Sequence, residues 1–156
     1  MVKINSTSRL PHITDRIILT QTDTTVGFLS QDAKKLAQIK SRPPTKPFIK
    51  VYANFRALSK DLRLPKRRKN LIRRAKKTTF IVKNQAFRVS DYRVSSQLLH
   101  KSEWFYSTSA NESGKEYDRE FCEQKADIII EDKHGLFETK ASSLLKVSDT
   151  KIRKLR

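Results

Sequence analysis

The sequence predicts one α/β (or α+β) domain built around a single twisted sheet. Short apolar runs typical of buried strands alternate along the chain with short segments that carry helix caps and helical spacing. No internal repeat or low-complexity linker divides the 156 residues, and this length is enough for one domain to bury its own core. We therefore expect a single domain over residues 1–156.

In the first half of the chain, strands are predicted at residues 17–19 and 47–53. Residues 1–15 show no helical pattern and are predicted to be an extended lead-in. A threonine-rich turn after the first strand leads to a helix capped by Ser30, with Asp32 in its first turn. Asn54 is predicted to cap a second helix that runs through Leu62, and a surface helix is expected at residues 66–76.

In the second half, strands are predicted at residues 78–83, 87–89, 104–108, 126–130 and 142–147. Ser90 or Asp91 can cap a helix over residues 92–100, and another short helix is expected over residues 117–124. Residues 133–140 form a loop around Gly135. The chain ends in a basic tail over residues 146–156, and a contribution of this end to the site is weighed equally against a last strand followed by a disordered basic end.

The net charge of +18 is extreme for a chain of this length. It indicates either a polyanionic partner, such as RNA or a nucleotide triphosphate, or a generally basic proteome, and composition alone does not separate the two. Residues 60–77 contain ten Lys or Arg and one Asp. The sequence predicts a solvated helix face here and offers an RNA-phosphate patch as the functional alternative; its residues are Lys66, Arg67, Arg68, Arg73 and Arg74.

No apolar run is long enough to span a membrane, and the N-terminus lacks the apolar core of a signal peptide. The single cysteine, Cys122, excludes an internal disulfide, and His12, His100 and His134 have no metal-ligand spacing. We expect a cytoplasmic protein without a protein-bound metal site.

Two polar clusters could carry chemistry. Lys40, Arg42 and Lys46 surround a proline-rich corner, where a fixed backbone favours an anion clamp over a flexible charge run. Ser107, Ser109 and Asn111 follow a strand, and their hydroxyl and amide groups suit ribose, phosphate or base, although serine and asparagine turns are common.

These clusters lie in motifs that resemble those of the YrdC/YciO family. The motifs are Thr22-Asp23-Thr24-Thr25-Val26-Gly27, Lys40-Ser41-Arg42-Pro43 with Lys46-Pro47, Phe87-Arg88-Val89, and Ser107-Thr108-Ser109-Ala110-Asn111 with Ser113-Gly114. A weaker match joins Ala141-Ser142-Ser143 and the terminal Leu155-Arg156. The motifs occur in family order, and the resemblance implies a mixed sheet with a concave basic face.

The resemblance also implies an enzyme similar to threonylcarbamoyl-adenylate synthase, which uses ATP, L-threonine and bicarbonate to supply the activated group for threonylcarbamoyladenosine in tRNA. Magnesium would accompany ATP, and separate transferase proteins would modify the tRNA. The implied catalytic residues are Lys40 and Arg42. The implied nucleotide-binding residues are Lys40, Arg42, Lys46, Ser107, Ser109, Asn111, Ser142 and Arg156, and the implied threonine-binding residues are Thr22, Thr24 and Arg88.

The chain departs from the family pattern at several positions. Gln21, Thr25 and Val26 stand where the family has proline, valine and an aromatic residue, and residues 74–77 replace a Pro-Gly-Pro turn. Arg88 has an alternative role as an edge-strand residue in a surface ion pair. These departures keep a second hypothesis open, a non-catalytic module of the same fold that binds double-stranded RNA or tRNA. Carbamoyl transfer to another acceptor is a third.

Overall fold

The computed structural model describes residues 2–4, 13–43, 45–90, 99 and 101–156. Its strands are β1 (Val2–Ile4), β2 (Ile18–Gln21), β3 (Val26–Ser30), β4 (Ile49–Tyr52), β5 (Thr78–Val82), β6 (Gln85–Val89), β7 (Trp104–Ser109), β8 (Ile128–Ile130), β9 (Ser143–Val147) and β10 (Ile152–Lys154). Its helices are α1 (Ala33–Ile39), α2 (Phe55–Asp61), α3 (Lys69–Arg74) and α4 (Arg119–Lys125), and a 3₁₀ turn at Lys66–Arg68 precedes α3. The helix predicted over residues 92–100 lies outside the described residues.

All of these strands join one mixed sheet in the order β1-β8-β2-β3-β7-β4-β6-β5-β9-β10. The pairs β1–β8, β2–β8, β4–β6 and β5–β9 are parallel, and the other neighbours are antiparallel. The predicted α/β class with a single mixed sheet is therefore confirmed. None of the helices in the described ranges is long and apolar enough to cross a membrane.

Alternating side chains divide the core between the two faces of the sheet. Ile18, Leu29 and Phe105 belong to one cluster, while their neighbours Leu19 and Phe28 pack in another cluster beneath α1 and α4. A third cluster packs α2 and α3 against the β4, β6 and β5 part of the sheet. Each fully buried side chain of this kind stabilises the fold by about 1.5–3 kcal/mol.

The caps follow elementary hydrogen-bonding chemistry, with one correction. Asn54 accepts a bond from the Ala57 amide, which confirms it as the cap of α2. The predicted cap of α1, Ser30, is wrong, because Ser30 ends β3 and Asp32 accepts from the amides of Lys34 and Lys35 instead. The Ser30 hydroxyl accepts from the Asp32 amide and so holds the true cap in place.

Both ends of the chain contribute strands. Within the predicted lead-in, β1 pairs in parallel with β8. The residues predicted as a basic tail contain the end of β9 and all of β10, which pair antiparallel, so the alternative of a disordered end is wrong. Pairing of Ile152 with Val147 and a bond from the Leu155 amide to Leu144 O hold this hairpin together.

The predicted basic surface helix forms as the 3₁₀ turn followed by α3. It attaches to the core through Ile72, which is 2% exposed, while Leu71 is 38% exposed. Most of its cationic side chains lie in solvent, which agrees with the predicted solvated face.

Candidate functional site

A cleft of about 260 Å³ opens where the ends of several strands meet. Eight residues that the sequence predicted for a site line it, and they come from distant parts of the chain: Thr22, Thr24, Arg42, Arg88, Ser107, Ser109, Ser142 and Arg156. The register explains the convergence, because β3 pairs with β7 and β7 pairs with β4. We call this cavity the candidate cleft.

The threonine turn between β2 and β3 forms one wall of the candidate cleft. The Thr22 hydroxyl donates to Thr25 O at 2.6 Å, and the Thr22 amide donates to the same oxygen at 3.0 Å. Asp23 accepts a bond from the Ser90 hydroxyl at 2.8 Å. The turn is therefore tied both to itself and to the end of β6, which fixes its hydroxyl groups before any ligand binds.

Arg88 is the buried cation of the site. Its side chain is 5% exposed and donates from Nη1 to Thr24 Oγ1 at 2.9 Å. It lies on β6, which has β4 and β5 on either side. The alternative of an edge-strand arginine in a surface ion pair is therefore wrong, because this strand is internal and the guanidinium lines the candidate cleft.

Gly27 lets the threonine turn approach β7 closely. A Cβ atom at this position would lie 3.0 Å from Thr108 O and 3.0 Å from Thr22 Cγ2. A backbone oxygen cannot move aside as a flexible side chain can, so the strand geometry favours glycine here.

Arg42 brings a second guanidinium to the candidate cleft. It donates from Nη2 to Pro47 O at 3.0 Å and lies 4.8 Å from the centre of the Phe48 ring. Its Nε is buried, and no atom of the described residues accepts a hydrogen bond from it. Burial lowers the pKa of Arg42, yet a guanidinium stays charged at neutral pH.

Lys40 does not line the candidate cleft. Its ammonium group donates to Ser109 O at 3.1 Å, to Asn111 O at 2.5 Å and to Asn111 Oδ1 at 2.7 Å. An ammonium group has three protons, so all of its donors are used. Burial lowers the pKa of Lys40. In this geometry Lys40 holds the loop after β7, and its predicted contact with phosphate stays a prediction.

Asn111 and Lys46 also lie outside the candidate cleft. Asn111 Oδ1 accepts from Lys40 and from the Ser109 hydroxyl at 2.7 Å, and its Nδ2 donates to Lys115 O at 2.5 Å. Asn111 thus shapes the loop that carries Ser109. Lys46 lines a separate groove of about 460 Å³, floored by Phe48 and Tyr106, on the other side of Pro47.

The C-terminal residues complete the wall opposite the threonine turn. The Ser142 and Thr79 hydroxyls lie 2.8 Å apart and share a buried hydrogen bond. Arg156 donates from Nε to Ser142 O at 3.1 Å. The weakest of the predicted motifs therefore does reach the candidate cleft, and it brings a third guanidinium group.

Sequence reasoning missed several lining residues, namely Thr25, Gly27, Pro47, Ile49, Thr108 and Ala141. Gly27 and Pro47 belong to motifs that the sequence singled out, but only for their backbone. Ile49 could have been found from alternation along β4, which puts it on the same face as Val51. Thr25, Thr108 and Ala141 also lie in the quoted motifs, but no role was assigned to them, and strand register decides that they line the cleft.

The remaining reactive groups do not form a second chemical centre in the described ranges. Those residues contain no group of three or more His, Cys, Asp or Glu side chains that could hold a metal ion. Because this search covers only the described residues, the absence of a protein-bound metal site stays a prediction. Cys122 is buried, and desolvation raises the pKa of its thiol to about 11, which makes it a poor nucleophile.

The predicted RNA patch lies on a different surface. Lys66, Arg67, Arg73 and Arg74 are exposed on the 3₁₀ turn and α3, and the Arg73 guanidinium lies 4.5 Å from the centre of the Phe55 ring. Arg68 is half-buried and donates to Ser148 O at 3.0 Å. None of these residues lines the candidate cleft.

Three arginines and several hydroxyl groups line the candidate cleft, and guanidinium groups are well suited to pair with phosphate or carboxylate oxygens. A family model for the Sua5/YciO/YrdC domain, described as "Telomere recombination", matches residues 14–156. The chain belongs to this family. No curated protein matches the sequence significantly.

Solved structures support the same fold. A crystal structure of P. abyssi Sua5 complexed with L-threonine has 18% sequence identity and a TM-score of 0.79, and the match covers 100% of this chain and 57% of that one. E. coli YciO has 19% identity and a TM-score of 0.72, with 99% and 93% covered. A HypF structure in a phosphate- and nucleotide-bound form has 14% identity and a TM-score of 0.73, with 90% and 26% covered. The chain thus spans less than two thirds of the Sua5 structures.

Proposed function

We propose that the protein is a threonylcarbamoyl-adenylate synthase that uses ATP, L-threonine and bicarbonate. The observation that carries this proposal is the convergence of Thr22, Thr24, Arg42, Arg88 and Arg156 on one cleft. The complex of P. abyssi Sua5 with L-threonine and the nucleotide-bound form of HypF support the two ligand classes. The product would supply the activated group for tRNA modification by separate transferase proteins.

The reaction joins three substrates in two steps. The threonine nitrogen bonds to the bicarbonate carbon and a water leaves, which gives a carbamate. A carbamate oxygen then bonds to the α-phosphorus of ATP, while the bond from that phosphorus to the leaving pyrophosphate breaks. Charge develops on the phosphate oxygens as the second step proceeds, so fixed cations lower its barrier.

The residues of the candidate cleft divide between the two ligands. Arg88 would bind the threonine carboxylate, with Thr22 and Thr24 next to it, because Arg88 is fixed by its bond to Thr24. Arg42 and Arg156 would meet phosphate oxygens, and Ser107, Ser109 and Ser142 would bond to the nucleotide. The Mg²⁺ that accompanies ATP would arrive as part of that substrate.

The candidate cleft is small for both ligands together, since drug-sized ligands usually occupy about 300–1,000 Å³. The groove that contains Lys46 shares Pro47 with the candidate cleft and adds about 460 Å³ beside it. We infer that the nucleotide extends past Pro47 toward this groove. Lys46 would then meet an ATP phosphate there, and Lys40 and Asn111 would act indirectly by holding the Ser109 loop.

The test is release of pyrophosphate from ATP with threonine and bicarbonate present, with each omitted in turn. We expect turnover only when all three are present, and at least a hundredfold less turnover in Arg42→Ala, because one lost charge contact in a transition state costs about 10²–10³ in rate. Lys101→Ala, an exposed lysine outside the candidate cleft, is the matched control. Turnover that ignores threonine would exclude this function, and an Arg42→Ala variant as active as the control would exclude the role of Arg42.

A non-catalytic RNA-binding module of the same fold is the second candidate. The exposed basic surface of the 3₁₀ turn and α3, together with Val26 in place of an aromatic residue, favours it. Calorimetry with ATP separates the two. Salt-dependent RNA binding without any ATP binding identifies the module, and ATP binding with turnover identifies the enzyme.

A further inference from the structure

The hairpin of β9 and β10 forms one end of the sheet, and a cleft of about 550 Å³ opens beside its turn. Its charged lining residues are five cations and one carboxylate, namely Arg63, Lys83, Lys146, Lys151 and Arg153, with Asp149. We call it the basic cleft. It shares no lining residue with the candidate cleft.

The cations of the basic cleft have no ion pair in the described part of the chain. The salt bridges found there involve the cations Lys50, Lys60, Lys115 and Arg119. Lys146 on β9 pairs in register with Arg153 on β10, so two like charges lie side by side on one face. Like charges opposite one another destabilise a sheet, and a bound carboxylate would remove that penalty.

The outer side of β10 has no neighbour among the described strands. β10 lies last in the sheet order, and it pairs there with β9. The Ser148 amide donates to Lys151 O at 2.9 Å, and the Leu155 amide donates to Leu144 O at 2.8 Å. Because hydrogen-bonded pairs alternate with non-bonded pairs in an antiparallel ladder, these two bonds fix the direction of every backbone group between them.

Two residues of β10 direct their backbone groups outward. Lys151, Arg153 and Leu155 lie in the hydrogen-bonded pairs of this ladder, so their amide and carbonyl groups point to β9. Ile152 and Lys154 lie in the non-bonded pairs between them. Their N–H and C=O groups therefore point away from β9, to the open side of the sheet, where another strand could bond to them.

Exposed apolar side chains accompany these backbone groups. Ile152 is 47% exposed and Leu155 is 45% exposed, although both are large hydrophobic residues. Val147, the cross-strand partner of Ile152, is buried in the core beneath α2 and α3. Ile152 thus continues the apolar face of the sheet out to its edge, and a strand added beside β10 would cover it.

We propose that β10 binds an acidic, extended segment of a partner protein, which joins the sheet as a further strand. Strand addition takes its affinity from main-chain hydrogen bonds and its selectivity from alternate side chains. Ile152 and Lys154 supply the main-chain donors and acceptors. Lys151, Arg153 and Lys154 lie opposite the acidic side chains, and the other cations of the basic cleft meet carboxylates that flank the added strand.

The charge of β10 selects against a second copy of this chain. Pairing β10 with another β10 would set Lys151, Arg153 and Lys154 against the same cations, and like charges across a ladder are unfavourable. A nucleic acid would meet the cations too, but it offers no row of amide and carbonyl groups to Ile152 and Lys154. An acidic peptide matches the charge, the open ladder and the exposed apolar side chain together.

This proposal goes beyond the synthase activity and does not depend on it. Ile152 and Arg153 do not line the candidate cleft, so pyrophosphate release and peptide binding are separate measurements. Failure of either proposal leaves the other open to its own test.

The test is fluorescence anisotropy with a labelled peptide in which Glu and Val alternate over about eight residues, a length within the usual range for one strand. Ile152→Pro removes an outward N–H without changing the charge or a bond to β9, and it should weaken binding at least about tenfold. Ile152→Val is the matched control. It keeps the N–H and the branched side chain, and its affinity should stay within about threefold of the unmodified protein.

A second pair of variants tests the charge. Lys151→Gln with Arg153→Gln should weaken binding at least about fivefold and make it less sensitive to salt. Lys101→Gln with Lys125→Gln removes the same charge at exposed positions outside the basic cleft, and it should change neither property. A peptide with Lys in place of Glu should not bind.

Three results would overturn the proposal. The first is an Ile152→Pro variant that binds the peptide as tightly as Ile152→Val. The second is an equal loss of affinity in the two charge variants, because only total charge would then matter. The third is an RNA duplex that displaces the peptide while Ile152→Pro leaves peptide binding unchanged, which would identify a general anion-binding surface.

A measurement on the unmodified protein avoids any effect of proline on folding. Amide hydrogen exchange followed by NMR should show that the peptide slows exchange at Ile152 and Lys154 at least about tenfold. Arg153 and Leu155 should change less, because their amides already bond to β9. Equal changes at all four amides, or no change at any of them, would contradict strand addition.

Discussion

The candidate cleft and the basic cleft use the same residue types in opposite ways. In the candidate cleft, Arg42, Arg88 and Arg156 each have a protein hydrogen-bond acceptor, respectively Pro47 O, Thr24 Oγ1 and Ser142 O. In the basic cleft, Lys83, Lys146 and Arg153 have no ion pair with a described carboxylate, and two of them are cross-strand neighbours.

The two clefts differ in how their charged groups are held before a ligand binds. A cation held by a neutral acceptor keeps its charge and has a fixed direction, which suits a small ligand that must be oriented. Cations that repel one another at the surface have no fixed direction, which suits a partner segment that brings several carboxylates.

Arg88→Met should reduce threonine-dependent turnover at least about a hundredfold, because it removes a buried guanidinium and its hydrogen bond to Thr24. Arg88→Lys should recover little, since a lysine cannot reproduce the planar fork. The measurement is kcat/KM for threonine. Arg153→Gln, an equal loss of charge in the basic cleft, is the control and should retain full turnover.

Equal effects of Arg88→Met and Arg153→Gln on turnover would contradict the proposed difference between the two clefts. Threonine binding by calorimetry adds a check that does not depend on ATP, because the Arg88 variant should lose threonine affinity while the control keeps it.

Lys40→Met should lower the free energy of unfolding by about 1–3 kcal/mol, because Asn111 O loses the donor that Lys40 supplies and Ser109 O and Asn111 Oδ1 each lose one of their donors in a partly buried loop. Denaturant unfolding measures this. Lys34→Met, next to α1's capped end and not bonded to the loop, is the control and should change stability by no more than about 0.5 kcal/mol.

An unchanged stability of Lys40→Met, with turnover lost, would contradict the positioning role. It would return Lys40 to the direct phosphate contact that the sequence motif implied.

Asp61→Asn tests a third arrangement, a surface cation with a carboxylate partner. Asp61 accepts from Lys50 at 2.5 Å and from the Tyr52 hydroxyl, and these bonds lower the pKa of Asp61 below 3.8. A carboxyl group whose pKa is lower in the folded than in the unfolded protein stabilises the fold above its unfolded pKa. This stabilisation is lost as the pH falls through the folded pKa. Because Asp61 is 47% exposed, we expect a loss of no more than about 1 kcal/mol.

The measurement is denaturant unfolding of the two proteins at neutral pH and at a pH below 3. The difference between Asp61→Asn and the unmodified protein should shrink at the lower pH, and a constant difference would argue against the ionised form of Asp61 as its source.

Arg153→Gln should slightly raise stability, by about 0.2–1 kcal/mol at low salt, because it removes the like-charge pair with Lys146. Thermal unfolding at low and high salt measures this. The gain should fade at high salt, where screening removes the repulsion. Arg63→Gln, which has no cross-strand partner, is the comparison and should gain less.

Much of the fold followed from local pattern. Alternating apolar runs, the Asn54 cap and the apolar strand at β8 depend on neighbours in sequence, so one α/β domain could be predicted. The structure of the chain's end could not be predicted, because a basic segment such as β10 has no core side chain. It becomes a strand only when β9 lies beside it.

For the site, the motifs predicted the residue types and eight of the lining positions. The sequence did not show whether a cationic side chain faces a ligand or a loop. Lys40 and Arg42 are two residues apart in one motif, yet Lys40 reaches the loop after β7 while Arg42 lines the candidate cleft. That choice depends on which strand lies across from each side chain.

The fold class, the family and the available chemistry therefore follow from the amino-acid sequence alone, because they depend on local spacing, composition and motif order. Which charges acquire partners depends on the folded chain. A charge is paired or unpaired through contacts between residues far apart in the chain, such as Arg88 with Thr24 or Lys146 with Arg153, and these depend on strand order and register.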